Sequence, residues 1–359
     1  GKLLSTDRTW EVIKNYNIGL DFGFLDNRLT GTAELFWKKC NNMLIDVTYP
    51  GTLGDKAPTA NRGSFKANGW EGTINWSDKI GEISYHLGGT FTYTTNKLVD
   101  NGGDAVIKSG VVSNREGYPL NSVFGLKYCG KIQTQDQLDK YINQYANGNN
   151  NIAMPGNLRL GDNMYEDVNK DGKLTEADYV YLGTDDPKVS FSFNAGLSWK
   201  GFDVSVIFQG AGKRTVWRGG ENNQKGKNDN WRIPMMSWYN NSTNQSVGNV
   251  WSAETPNAHY PTYTHQTQIN LYNYICSSWS VEDGAYLRLK NVTLGYTFPA
   301  NVLSKTKFIS YARIYVSGAD LWENSKIKDG WDPEASRKVE TFGRYPFTRN
   351  LTVGLNLTF

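Results

Sequence analysis

A period of two dominates this chain. Runs of about ten residues alternate apolar and polar side chains and close on Gly, Asn or Asp. Ile18, Leu20, Phe22 and Phe24 alternate with Asn17, Gly19, Asp21 and Gly23. Beyond a turn at Asp26-Asn27, Leu29, Gly31, Ala33, Leu35 and Trp37 oppose Thr30, Thr32, Glu34 and Lys38, which predicts a hairpin. Trp70, Gly72, Ile74 and Trp76 form the next apolar face, and Ile83, Tyr85, Leu87, Phe91 and Tyr93 follow a turn predicted at Ser77-Asp78-Lys79. Val189–Trp199 and Phe202–Phe208 flank Lys200-Gly201, and Leu287–Phe298, Tyr311–Gly318 and Arg349–Phe359 complete the set. Successive side chains of a strand point to opposite faces. The chain is therefore a series of ribbons, each with one greasy and one wet face. Helical spacing is confined to a short segment, Gln135–Asn143.

Two all-β architectures alternate in this way. A soluble sandwich buries its apolar faces between two sheets, whereas a transmembrane barrel turns them toward lipid and lines its lumen with the polar ones. Three features favour the barrel. The polar faces are built from Gly, Ser, Thr and Asn, as a wet wall would be. Trp37, Trp70, Trp76, Trp199 and Phe208 fall where interfacial girdles belong. Short turns alternate with long gaps near residues 45–68, 98–117, 130–187 and 211–280, matching the short periplasmic turns and long extracellular loops of outer-membrane barrels. Composition agrees: aromatics reach 13% while hydrophobic content is 38%, below the ~45–50% of soluble domains. No run approaches the ~18 apolar residues of a membrane helix. The near-balance of 38 Lys+Arg against 35 Asp+Glu argues against a nucleic-acid partner. The first residues show no signal peptide, so an exported chain would begin downstream of its export signal.

The stretch 286–298 breaks the pattern, because Leu287 and Leu289 have one parity and Val292, Leu294, Tyr296 and Phe298 the other. Either a bulge shifts the register or the first half rises above the membrane with Arg288 and Lys290 in water. The second is preferred here. At the other end, Leu351, Val353, Leu355 and Leu357 alternate with Thr352, Gly354, Asn356 and Thr358, and Phe359 closes the strand in the manner of a barrel-insertion signal.

Ordered motifs add a family resemblance. They include Tyr16-Asn17-Ile18-Gly19-Leu20-Asp21-Phe22, Asn68-Gly69-Trp70-Glu71, Glu116-Gly117-Tyr118-Pro119-Leu120 and Phe124-Gly125-Leu126. Gly161-Asp162-Asn163-Met164-Tyr165-Glu166-Asp167-Val168-Asn169-Lys170-Asp171-Gly172-Lys173 follows, then the run Val281–Pro299 and Asp332-Pro333-Glu334. In this series the chain resembles, from residue 1 to residue 359, the C-terminal barrel portion of the SusC/RagA-like TonB-dependent transporters. The resemblance implies an antiparallel transmembrane β-barrel of about 22 strands, of which roughly ten, or about half, are here. It also implies a plug and N-terminal strands outside this chain, a TonB complex engaging the missing N-terminal part, a SusD-like surface lipoprotein, and residence in the outer membrane of a Gram-negative bacterium. Such a protein is an importer and not an enzyme.

Residues 167–178 carry the spacing of a calcium loop. Asp167, Asn169, Asp171 and Asp178 fall at positions 1, 3, 5 and 12, Gly172 at the sharp turn, the Lys173 carbonyl at position 7 and Thr175 at position 9. The departure is Asp178 where Glu is usual, since its shorter arm makes bidentate reach harder. The expected cofactor is a structural Ca2+ that stiffens a long loop. Trp217, Trp231, Trp238, Tyr239, Trp251, Tyr260 and Tyr263 are scattered among amide and hydroxyl residues of the 211–280 loops. Their rings suit sugar stacking or peptide contact, although packing within the loop or against a partner is preferred. Cys40, Cys129 and Cys276 are far apart and make neither a disulfide framework nor a metal site. His86 sits on a polar strand face, and no nucleophile or phosphate-loop motif is present.

The functional expectation is TonB-dependent import of an oligomeric nutrient, glycan before peptide, with the lipoprotein as a lid. The alternative is a soluble extracellular glycan-binding β-module with a structural calcium.

Overall fold

The computed structural model describes residues 8–46, 59–101, 112–145, 154–217, 247–264, 266–306, 308–328, 332–334 and 348–359. In chain order the strands are β1 (Val12–Phe24), β2 (Leu29–Asp46), β3 (Thr59–Ile80), β4 (Ile83–Asn101), β5 (Val112–Ser113), β6 (Ser122–Gly125), β7 (Tyr128–Lys131) and β8 (Asn163–Tyr165). They continue as β9 (Val180–Thr184), β10 (Val189–Trp199), β11 (Phe202–Ala211), β12 (Thr215–Val216), β13 (Glu282–Asp283), β14 (Tyr286–Thr297), β15 (Tyr311–Ser325) and β16 (Asn350–Thr358). The helices are α1 (Gln135–Tyr145), α2 (Thr267–Asn273) and α3 (Ala300–Leu303). One antiparallel sheet takes nine strands in the order β1-β2-β3-β4-β10-β11-β14-β15-β16. The short strands form a separate layer of small sheets, β5-β6-β9, β7-β8 and β12-β13.

The register sorts the two faces. Ile18, Leu35, Trp70 and Tyr93 stand in one cross-strand row, and Leu197, Val204, Leu294, Val316 and Val353 in another. These rows lie open: Phe193 is 44% and Val353 72% exposed, and neither Phe191, Val204 nor Val206 is buried. The clustered hydrophobic cores instead gather residues of the small-strand layer, such as Phe124, Leu138, Leu158, Leu174 and Tyr272. A sandwich would close the apolar face under a second sheet about 10 Å away. Among the described residues no second sheet covers it, so the face is built for hydrocarbon. The fold is a partial antiparallel β-barrel with long outer loops, and the soluble-module alternative falls with the sandwich.

At one end the connections are tight. Lys200 and Gly201 have φ of 46° and 88°, the left-handed pair that a two-residue hairpin turn requires. Gly201 has no room for a side chain either, since a Cβ there would lie 2.6 Å from the Thr297 carbonyl oxygen. The turn expected at Ser77–Lys79 is displaced: those residues pair with Ser84–His86 inside the hairpin, and the reversal occurs at Gly81-Glu82. The β1–β2 turn is as predicted. At the opposite end β2, β3 and β4 run 18, 22 and 19 residues, well beyond the ~9–11 needed to span. The gap expected from 45 to 68 is accordingly shorter, because β3 already begins at Thr59.

β14 corrects a second expectation. Its pairing shifts between Ile207 and Phe208 on one side and between Leu289 and Asn291 on the other, so Lys290 is an extra residue in the ladder. The bulge keeps Leu289 beside Phe208 and Trp322 on the apolar face and returns Val292 and Leu294 to it. Arg288 consequently points to the polar face and is fully buried, not raised into water.

Candidate functional site

The polar face forms a continuous wall. Asp21, Thr32, Thr73, Thr90, Ser192, Gln209, Arg288 and Glu323 are successive cross-strand partners through eight strands. Hydroxyls stitch the row, with Thr32–Thr73 at 2.8 Å and Thr90–Ser192 at 2.7 Å. His86 lies on this wall as expected, against Gly196. Such a surface of small hydroxyls and amides stays wet and offers hydrogen bonds without a greasy trap for a polar solute.

At its outer end the wall carries an ionic network. The Arg288 guanidinium donates to Glu323 and to Asp332 Oδ1 at 2.7 Å, and lies 3.1 Å from Glu334 Oε1. The Lys290 ammonium reaches Glu334 and Asp320, each at 3.1 Å. Asp332 and Glu334, met in the sequence only as part of a family motif, thus clamp two cations of β14. A signal was present: two basic residues in an alternating strand need carboxylates if they are to be buried.

Above the sheet, the outer layer has its own core. The Tyr141 and Tyr272 hydroxyls lie 2.6 Å apart, the Tyr165 amide donates to Tyr141 Oη, and Tyr165 Oη donates to the Asn273 carbonyl at 3.0 Å. The predicted helix is α1, and it contributes Leu138, Tyr141 and Tyr145 to this core. Burial pushes the Tyr145 phenol up to about 12, with nearby Asp167 adding to the effect, so all these tyrosines act as neutral hydrogen-bonding groups.

The 167–178 loop is fastened to the same core by Leu174 and Tyr179. Asp167 accepts from the Asp171 and Gly172 amides, Asn169 Oδ1 from the Asp171 amide, and Asp171 Oδ1 from the Lys173 amide. Gly172 has φ +79°, as the sharp turn demands. Asp178 is fully buried and accepts from the Val168, Asn169 and Thr175 amides, while Thr175 caps the short 3-10 turn Glu176–Asp178. Three carboxylates, an amide oxygen, a hydroxyl and a carbonyl are the hard donors calcium prefers. Among the described residues no three acidic, His or Cys side chains converge to metal spacing. A cation would have to draw them inward.

Among the seven loop aromatics, Trp231, Trp238 and Tyr239 lie outside the described residues. Trp217 is buried with Val123 and Cys276, so its ring packs the layer and presents no face to a solute. Tyr260 packs beside Tyr274 and Trp279, and Trp251 Nε1 donates to Gln133 at 2.8 Å. Tyr263 is 40% exposed. Phe359 is exposed and stacks on Phe308.

No family model matches the chain. It is 26% identical to the TonB-dependent receptor P26 of Formosa agariphila over 380 residues, covering all of this chain and 36% of that protein. It is 23% identical to the TonB-dependent receptor SusC of Bacteroides thetaiotaomicron, covering all of this chain and 33% of SusC. The fold superimposes on the RagAB peptide importer in its open-open state with a TM-score of 0.73 at 20% identity, over 98% of this chain and 35% of that one. Over its whole length the chain corresponds, in sequence and in fold, to a portion of the SusC/RagA-like TonB-dependent receptors. It spans about a third of the length of the relatives it matches. As part of such a receptor it resides in the outer membrane of a Gram-negative bacterium, which agrees with the outward apolar face and the aromatic residues along it.

Proposed function

We propose that this receptor imports an oligomeric nutrient through the outer membrane, a glycan before a peptide, with energy delivered through TonB. The observation that carries the reading is the pairing of a lipid-ready outer face with a continuous polar wall of hydroxyl, amide and charged groups inside. The remaining barrel strands and the plug, on the parts of the receptor outside this chain, would complete the lumen, and a SusD-like lipoprotein would cover its outer mouth. Of the loop aromatics, exposed Tyr263 and half-buried Trp251 would be the ones to meet the solute. No residue here is assigned a catalytic role. The test is uptake of labelled oligosaccharides and oligopeptides by cells carrying the full-length receptor. Glycan accumulation that disappears when the proton gradient is collapsed is the expected result; uptake indifferent to the receptor or to the gradient overturns it.

We also propose that Asp167, Asn169, Asp171, the Lys173 carbonyl, Thr175 and Asp178 hold a structural Ca2+. Its support is the donor set together with a loop already folded around Gly172 and pinned by Leu174. Chelation should increase protease nicking between residues 160 and 185 of the full-length receptor, and added calcium should reverse it. An unchanged digestion pattern would remove the ion from the account.

A further inference from the structure

The outward face carries one feature that import does not use. Lys14 of β1 pairs with Lys39 of β2, Lys39 with Lys66 of β3, and Lys66 with Lys97 of β4. Direct cross-strand partners project from the same side of a sheet. Here that side is the apolar one, because the next row toward the tight turns is Tyr16, Trp37, Asn68 and Thr95, and the row after it Ile18, Leu35, Trp70 and Tyr93. Strands stand ~4.8 Å apart, so four ammonium stems share a line about 14 Å long. All four residues are exposed, and none joins an ion pair among the described residues. Among the described residues, the nearest carboxylate on that side by register is Asp100, which pairs with Ser64 one row further out.

Three consecutive like-charge neighbours destabilise a ladder unless an anion lies across them. Position identifies the anion. Lys14 and Lys39 stand ten residues from Phe24 and Leu29, at the ends of the strands beside the tight turn. At ~3.4 Å per residue and a tilt near 40°, that is about 26 Å of height, the thickness of the apolar band of such barrels. At that end the row therefore meets the outer leaflet where hydrocarbon gives way to headgroups, and since Lys66 and Lys97 stand fourteen residues from Ile80 and Ile83 it rises from there into the headgroup layer. Lysine stems can lie along lipid while their charges reach the interface.

We propose that Lys14, Lys39, Lys66 and Lys97 form a binding row for the phosphate groups of outer-leaflet lipid. The inference goes beyond import and requires only the outward orientation of this face. The test uses the delipidated full-length receptor in non-ionic detergent, titrated in native mass spectrometry with diphosphoryl lipid A, with its dephosphorylated form and with inorganic phosphate. Preferential retention of the phosphorylated lipid is expected. Each Lys→Gln change should weaken it about fivefold. The fourfold Gln variant should lose the preference, a fourfold Lys→Arg variant should keep it, and Lys38→Gln on the lumenal side should leave it unaltered. Heat-modifiable migration verifies assembly, and the single variants decide the matter if the fourfold one fails to fold. Equal retention of both lipid forms, saturation by inorganic phosphate alone, or loss of an acidic lipoprotein partner with lipid binding intact would each overturn the proposal.

Discussion

His259 shows how a single side chain can make the outer layer respond to acid. Its ring stacks on Trp279 and meets Tyr260 edge-on, and its amide donates to Asn249. Burial holds its pKa below the ordinary value, and the Lys131 ammonium adds to the effect. The folded layer thus binds this proton less readily than the unfolded chain does. Stability from this group is fully present above the unfolded pKa of ~6.5 and is lost as pH falls from there through the lower folded value. Protection from hydrogen exchange across 249–264, taken relative to the intrinsic amide rate at each pH, should fall between pH 7.5 and 5, and His259→Gln should flatten the change; identical protection profiles would refute the role. Arg288 is a costlier position. Removing it leaves Glu323, Asp332 and Glu334 facing one another, and with those carboxylates 21–30% exposed the loss should be about 2–4 kcal/mol. Arg288→Met should lower the temperature of the heat-modifiability transition, and adding Glu323→Gln should recover part of it. A double variant no better than the single one would show that the network is not coupled.

At the scale of elements, what the sequence betrays depends on what each segment faces. The long strands were legible because lipid on one side and water on the other impose strict alternation over many residues. In β14 the strand was legible but its register was not, since one inserted residue, Lys290, inverts parity without altering composition. The short strands β5 to β9 were invisible for a related reason. They have two to five residues each, too few for a period of two to stand out. Asp332 and Glu334 were missed because their partner Arg288 is 44 residues from one of them, a distance no local pattern reports. The tight turns give the sharpest element-level test. Gly201→Val would place a β-branched side chain at φ +88° and against the Thr297 carbonyl. The β10–β11 hairpin should form slowly, and the full-length receptor should accumulate in its unassembled, heat-insensitive form. Normal assembly would show that the turn tolerates the strain.

Over the whole molecule, β1 and β16 are the edges of the nine-stranded sheet, each paired on one side among the described residues. Unpaired backbone groups in hydrocarbon cost several kcal/mol each. Residues 1–359 expressed alone should therefore fail to give a heat-modifiable species in detergent that the full-length receptor gives readily; a stable isolated product would mean the edges find partners within this chain. The separation of the cores has a consequence of its own. Water-driven burial is concentrated in the outer layer, while the sheet depends on the solvent around its outer face. Urea should melt the cap first and leave the staves standing, whereas stripping away amphiphile should collapse the staves beneath a cap that still holds its shape.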